Sequence, residues 1–212
     1  MGGSEQRRHP GSLGDALYIK DLNIIKFLLD NGADPNIGSY IGEEGPWNLG
    51  ESSLEIVWGD YCTLDAGENY YDLELLLLKY GALPVCNGEK LSMEKAIEWL
   101  EEYTEIGAPS VFECAKGLFF YHLALLIQCG AGVNARDEKG RNLLQIALED
   151  AYRGGDVWRF HNDLAEMALM LLCGLKLKLS KEEIEQAKAT CRENGYTEAL
   201  DAITSVTSKS RK

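Results

Sequence analysis

The sequence predicts an all-α fold: a helical solenoid of about four helix-turn-helix repeats with long insertions, closed by a C-terminal capping helical pair. Three observations lead there. Four segments share one pattern, an apolar helical run that ends in glycine, at near-constant spacing. Only 5 prolines stand among 212 residues, which leaves room for long helices. From Ser180 onward the chain carries the start and stop signals of two further helices with a polar outer face, as a terminal unit needs.

The repeated segments are Ile24–Asn36 (IIKFLLDNGADPN), Leu73–Val85 (LELLLLKYGALPV), His122–Asn134 (HLALLIQCGAGVN) and Glu166–Lys178 (EMALMLLCGLKLK). Their glycines, Gly32, Gly81, Gly130 and Gly174, lie 49, 49 and 44 residues apart. Leu28 and Leu29, Leu77 and Leu78, Leu126 and Ile127, and Met170 and Leu171 share one offset before the glycine. Apolar neighbours one turn earlier, such as Ile24, Ile25, Leu73 and Leu75, complete the buried face of a packed helix. Each glycine is expected to supply a left-handed C-terminal cap, which a residue with a Cβ adopts only at steric cost.

In chain order, a first helix over roughly Ser12–Ile19 meets a second over Leu22–Asn31 across Lys20-Asp21. A long turn, Ile37–Glu51, leads into the second repeat. Cys62–Tyr70 then extends the connection between the helices of the second repeat, and Thr104–Ser110 that of the third. Arg153–Val157 breaks the helix of the fourth. Longer helices over Met93–Tyr103 and Phe112–Gln128 are the other destination for the extra chain. Ser180 and Glu183 form a capping box, Gly195 is a helix stop, and Thr197–Ser205 is the closing helix. Lys181, Glu182, Glu185, Lys188, Arg192 and Glu193 give that pair its polar face. The expected organisation is a flexible start over 1–10, one domain over 11–205 and a basic flexible tail over 206–212.

These residues resemble the ankyrin-repeat family. The strings NGADPN, YGALPV and CGAGVN are similar to its helix-end signature, and Asp137–Ala147 (DEKGRNLLQIA) to its opening. Asp137, Gly140, Leu144 and Ala147 match that opening, while Asn142, Leu143 and Gln145 stand where the family has Thr, Pro and His. Fainter copies lie at Ser52–Val57 and Leu91–Ile97. The resemblance runs from about Ser12 to Lys178. Family repeats are ~33 residues long, so the excess here sits in insertions or longer helices; insertions in repeat arrays often gather on the binding face. The resemblance implies a protein–protein interaction module. The specific form expected is an acidic, immunity-type inhibitor, a bacterial ankyrin-type protein that occludes a basic partner. The alternatives are an adaptor or secreted effector that binds a host protein, and an enzyme with its site in the insertions.

Composition narrows the classes further. Hydrophobic residues at 45% and charged residues at 26% are ordinary for a globular chain. A net charge of −13 repels phosphate backbones and anionic membranes, so nucleic-acid and membrane partners are not expected and a basic protein is. The six cysteines (Cys62, Cys86, Cys114, Cys129, Cys173 and Cys191) are scattered without a CxxC pair, which reads as reduced thiols in a cytoplasmic protein. The N-terminal residues lack a signal peptide's apolar stretch, and Gln6 stands where a myristoylation motif carries Ser or Thr. The longest apolar runs, Leu118–Ile127 and Leu164–Cys173, fall short of the ~20 residues that span a bilayer and read as core helices.

A search for chemistry is negative. His9, His122 and His161 have no metal-ligand spacing, and His122 on its apolar helix reads as a core or boundary residue. Gly2-Gly3 and Gly154-Gly155 lack the strand–turn–helix setting that cradles phosphate. Glu43-Glu44 and Glu101-Glu102 read as solvated surface. No catalytic residue, metal or cofactor is expected. Aromatic and acidic residues do gather near the irregular segments. The expected partner-binding set is Tyr40, Trp47, Asp60, Tyr61, Tyr70, Glu101, Glu102, Tyr103, Glu149, Asp150, Asp156 and Trp158, in which Trp and Tyr act as anchors.

Overall fold

The computed structural model describes residues 13–36, 52–54, 56–57, 70–84, 92–103, 110–152 and 157–208, and all their regular structure is helical. The first unit pairs α1 (Leu13–Ile19) with α2 (Leu22–Asp30). Asp21 starts α2, its carboxylate accepting from the backbone N–H groups of Asn23 at 2.9 Å and Ile24 at 3.2 Å. Lys20 turns the chain between them with φ 60°. At the far end Gly32 adopts φ 90°. There the N–H of Ala33 reaches back to the carbonyl of Leu28 at 3.0 Å and that of Gly32 to Leu29 at 3.1 Å. This double bond pattern satisfies carbonyls that the helix end leaves open.

The same ending recurs twice. After α3 (Tyr70–Lys79), Gly81 has φ 86° and Ala82 N–H donates to Leu77 at 3.0 Å. After α6 (Phe120–Gln128), Gly130 has φ 115° and Ala131 N–H donates to Leu126 at 2.9 Å. At these three positions the expected left-handed cap is present.

Gly174 departs from the pattern. Its φ is not positive. The fourth unit's second helix, α8 (Val157–Leu169), runs into a π turn over Met170–Gly174, closed by Leu175 N–H on the Met170 carbonyl at 2.8 Å. Lys176 takes the left-handed conformation instead, with φ 61°. Gly174 is needed for space: a Cβ there would lie 2.6 Å from Leu83 Cδ2 and 3.3 Å from the Ala82 carbonyl oxygen.

The third unit also differs from expectation. Phe112–Gln128 is not one long helix but two, α5 (Val111–Gly117) and α6, joined at Leu118-Phe119. Leu118 adopts φ 55° with its side chain buried, which reverses the chain where the apolar periodicity alone reads straight through. α4 (Met93–Tyr103) is therefore an additional helix lying against α6, and the segment ahead of Ser110 precedes the hairpin rather than dividing it. The α5–α6 hairpin repeats the geometry of α1–α2. Each has helices of 7 and 9 residues about a two-residue link. In each, a non-glycine left-handed residue, Lys20 or Leu118, stands 12 positions before the capping glycine.

α7 (Leu143–Asp150) opens the fourth unit, and α9 (Lys181–Asn194) with α10 (Thr197–Ser208) closes the chain. The last helix runs three residues past its expected end at Ser205. First helices α5, α7 and α9 stand side by side in chain order, α5 on α7 and α7 on α9. The second helices depart from that order at one place, where α3 reaches α8. α10 packs on α8, and so does α3 of the second unit, which also meets the π turn. One continuous core joins them, with Leu17, Ile25, Leu77, Leu100, Leu123, Leu144, Leu164 and Met167 fully buried. Each such side chain contributes roughly 1.5–3 kcal/mol.

Asparagines four positions past a capping glycine tie neighbouring turns together. Asn36 donates to the Gly81 carbonyl at 2.9 Å and accepts from Leu83 N–H at 2.7 Å. Asn134 accepts from Lys178 N–H at 2.9 Å. Among the described residues, no helix is long and apolar enough to cross a membrane.

Candidate functional site

The opening motif of the fourth unit builds a polar cluster around Arg141. Asp137 accepts from the backbone N–H groups of Lys139 at 3.0 Å and Arg141 at 2.8 Å, and Gly140, with φ 78°, lets the turn close. The Arg141 side chain, held on this turn, donates to three carboxylates: Asp137 at 2.8 Å, Asp150 at 2.7 Å and Glu149 at 3.1 Å. These hydrogen bonds from Arg141 hold the Asp150 carboxyl below the usual range. For Asp137, partial desolvation opposes the shift, but hydrogen bonds to the Arg141 backbone and side chain still carry it downward. The guanidinium is held firmly protonated by Asp150 first and Asp137 next.

Asn142 and Gln145 form a reciprocal capping box at the start of α7. Gln145 N–H donates to Asn142 at 2.9 Å and Asn142 N–H to Gln145 at 3.0 Å. Their free amide ends reach the next unit, Asn142 to Glu183 and Gln145 to Gln186, both at 3.1 Å. Ser180 and Glu183 form the second box, as expected. Glu183 also meets Arg136 at 2.7 Å. The Ser180 N–H, followed by Arg136, brings the Glu183 carboxyl down to about 2.

Of the expected partner-binding residues, the structure brings Glu149 and Asp150 together on Arg141. The three carboxylates share one guanidinium, and Lys139 and Lys116 add their charges beside Asp150. Tyr70 lies at the start of α3, Glu101, Glu102 and Tyr103 at the end of α4, and Trp158 at the start of α8. Tyr40, Trp47, Asp60, Tyr61 and Asp156 lie outside the described residues, as do residues 1–10 and 209–212.

No protein-family model, curated protein or solved structure matches the chain. The reading of its sites therefore rests on its own geometry. Sequence reasoning missed one group, where α3, α8 and α10 meet. Glu166 and Asn162 are buried on α8, one helical turn apart. His161 Nδ1 lies 3.6 Å from Glu198, and its ring meets Tyr196 edge-on at 5.4 Å. Half-buried Tyr71 has its hydroxyl pushed up, by desolvation first and then by the charges of Glu166 and Glu198. A signal did exist: Glu166 stands eight residues before Gly174, where Ile24 and Leu73 stand before theirs. His122 shares that offset. Burial lowers its pKa, and its Nε2 is buried without a hydrogen bond among the described residues. Among the described residues no three His, Cys, Asp or Glu side chains converge as a metal site. The hollow beside Glu166 is walled by Leu54, Glu74, Leu78, Pro84, Phe120 and Met170.

Proposed function

We propose that the chain is an ankyrin-like solenoid of about four repeats with a capping pair, and that it acts by binding and occluding a basic protein. The observation that carries this reading is the recurrence of one hairpin, 13–32 and again 111–130, in backbone conformation as well as length. Arrays of such hairpins present extended surfaces and bind through them. The bridging asparagines and the amide contacts from α7 to α9 support stacking of the units. The net charge of −13 supports a cationic partner, because opposite fields speed encounter and disfavour wrong partners. Exposed Glu138, Glu149, Glu182 and Glu185 supply part of that field on the side of α7 and α9. An immunity-type inhibitor is the form of this function that the reading favours.

Affinity capture on the immobilised chain, followed by titration of the captured protein at two salt concentrations, tests it. The expected partner is basic, and its affinity falls steeply as salt rises. The double substitution Glu101→Lys with Glu102→Lys should weaken binding further. A partner that is acidic, or whose binding ignores salt, overturns the reading.

A further inference from the structure

His122 places a titratable ring where the fold makes little provision for its charge. It stands in the first turn of α6 and is followed by Leu123, Ala124, Leu125 and Leu126, all buried. The half-buried ring is tilted against Phe119 at 5.6 Å and edge-on to Tyr121 at 6.4 Å. Its Nε2 is buried and, among the described residues, makes no hydrogen bond. In a neutral imidazole that nitrogen is either a bare acceptor or a donor; in a protonated one it must carry a hydrogen. Protonation therefore sets a charged donor without an acceptor among apolar side chains, which costs more than a neutral orphan.

The elements around α6 do carry charge. α5 brings Cys114 with Glu113 and Lys116, the last two paired at 3.9 Å. α4 brings Glu94, Lys95, Glu98, Glu101 and Glu102. Both helices pack on α6. Glu74 of α3 and Glu166 of α8 share the hollow with Phe120, and Tyr121 is the other titratable group of α6 itself. Among the described residues, none of these groups holds a proton on His122: burial is the cause that acts on the ring, and it lowers the pKa. We propose that His122 makes the third unit acid-labile: in mildly acidic solution its ring takes a proton, and the packing of α6 on α4 and α5 loses stability. Burial fixes the direction. The imidazole of the unfolded chain binds its proton at an ordinary ~6.5, the folded one only at lower pH, so the unfolded state holds more protons between the two values. Stability is complete above ~6.5 and falls as pH drops towards the lowered value, the unfolding constant rising by up to about tenfold per pH unit within that window. Glu183 acts below an ordinary ~4.3, so the two effects occupy separate ranges.

Urea unfolding of the intact chain at steps from about pH 7.5 to about pH 5 tests this, with the His122 ring, assigned through its backbone, followed by NMR over the same range. The ring is expected to titrate below ~6.5 in the folded chain, and the wild-type urea midpoint to fall as it does. His122→Phe keeps an aromatic ring and removes the titration, so its midpoint should fall less over that range. A His122 ring that titrates at or above ~6.5 overturns the proposal, whether or not the variant folds. A wild-type midpoint that stays level overturns it too, as does a fall that His122→Phe reproduces in full.

Discussion

Alanine at Gly174 should be among the costlier small substitutions in this protein, and for a reason different from that at Gly130. At Gly174 the new methyl carbon would lie 2.6 Å from Leu83 Cδ2, well inside the ~3.5–4.0 Å at which carbon atoms attract, and 3.3 Å from the Ala82 carbonyl oxygen. Overpacking of this kind costs typically 1–3 kcal/mol, and about 2 kcal/mol is expected here. At Gly130 nothing lies within 4 Å of the added carbon, but φ is 115°. The expense is then backbone strain, about 1–2 kcal/mol. Leu83→Ala separates the two. Alone it should cost about 2–3 kcal/mol as a core truncation. Combined with Gly174→Ala, it should recover about 1–2 kcal/mol of the summed loss, because the offending methyl is gone; combined with Gly130→Ala, the losses should add to within ~0.5 kcal/mol. Urea unfolding followed by circular dichroism measures all five proteins. A Gly174→Ala protein as stable as wild type, or strict additivity with Leu83→Ala, would refute the claim that the fourth turn needs glycine for space.

Asn36→Ala should destabilise by about 1–3 kcal/mol in the same assay, since it strips both hydrogen bonds to the second unit and leaves Leu83 N–H unpaired. Acid should weaken the fourth unit's contact with the capping pair. The Glu183 carboxyl, at about 2 against an ordinary ~4.3, stabilises the fold above the ordinary value, and that contribution is lost as pH falls towards about 2. After screening it amounts to on the order of 1 kcal/mol, and a Glu183→Gln protein should show a shallower fall in urea midpoint between those limits. Cys114 and Cys191, pushed up to about 12 and about 11 chiefly by burial, should resist iodoacetamide at pH 8 until urea is added; peptide mapping by mass spectrometry reads the modification.

Much of the helical layout was legible because local signals were strong. The apolar periodicity before Gly32, Gly81 and Gly130, and the Ser180–Glu183 box, are one-turn effects that tertiary packing reinforces. Two features were not legible for physical reasons. The break at Leu118 rests on a leucine in a left-handed conformation, which carries no compositional mark; burial of its side chain and the 2.9 Å bond from Phe119 N–H to Cys114 hold it there. The role of Gly174 depends on Leu83, a contact that periodicity within one repeat cannot reveal. The candidate surface was legible only as composition. That Glu149 and Asp150 share Arg141 follows from a turn folding back on its own helix, and Glu166 became visible as a buried polar residue only once the repeats were set in register.

The seating of α3 on α8 changes how the chain must assemble. In an array whose units touch only their sequence neighbours, order can spread stepwise from any point. Here Leu83 meets Gly174 across 91 positions, so the second unit cannot finish its core until the fourth exists. Closing so long a loop is entropically slow. The local row α5, α7 and α9 is thus the natural early template, and the arrival of α3 makes two halves of the chain a single cooperative body. During synthesis the second unit must wait, with its apolar face open, until more than ninety further residues have emerged.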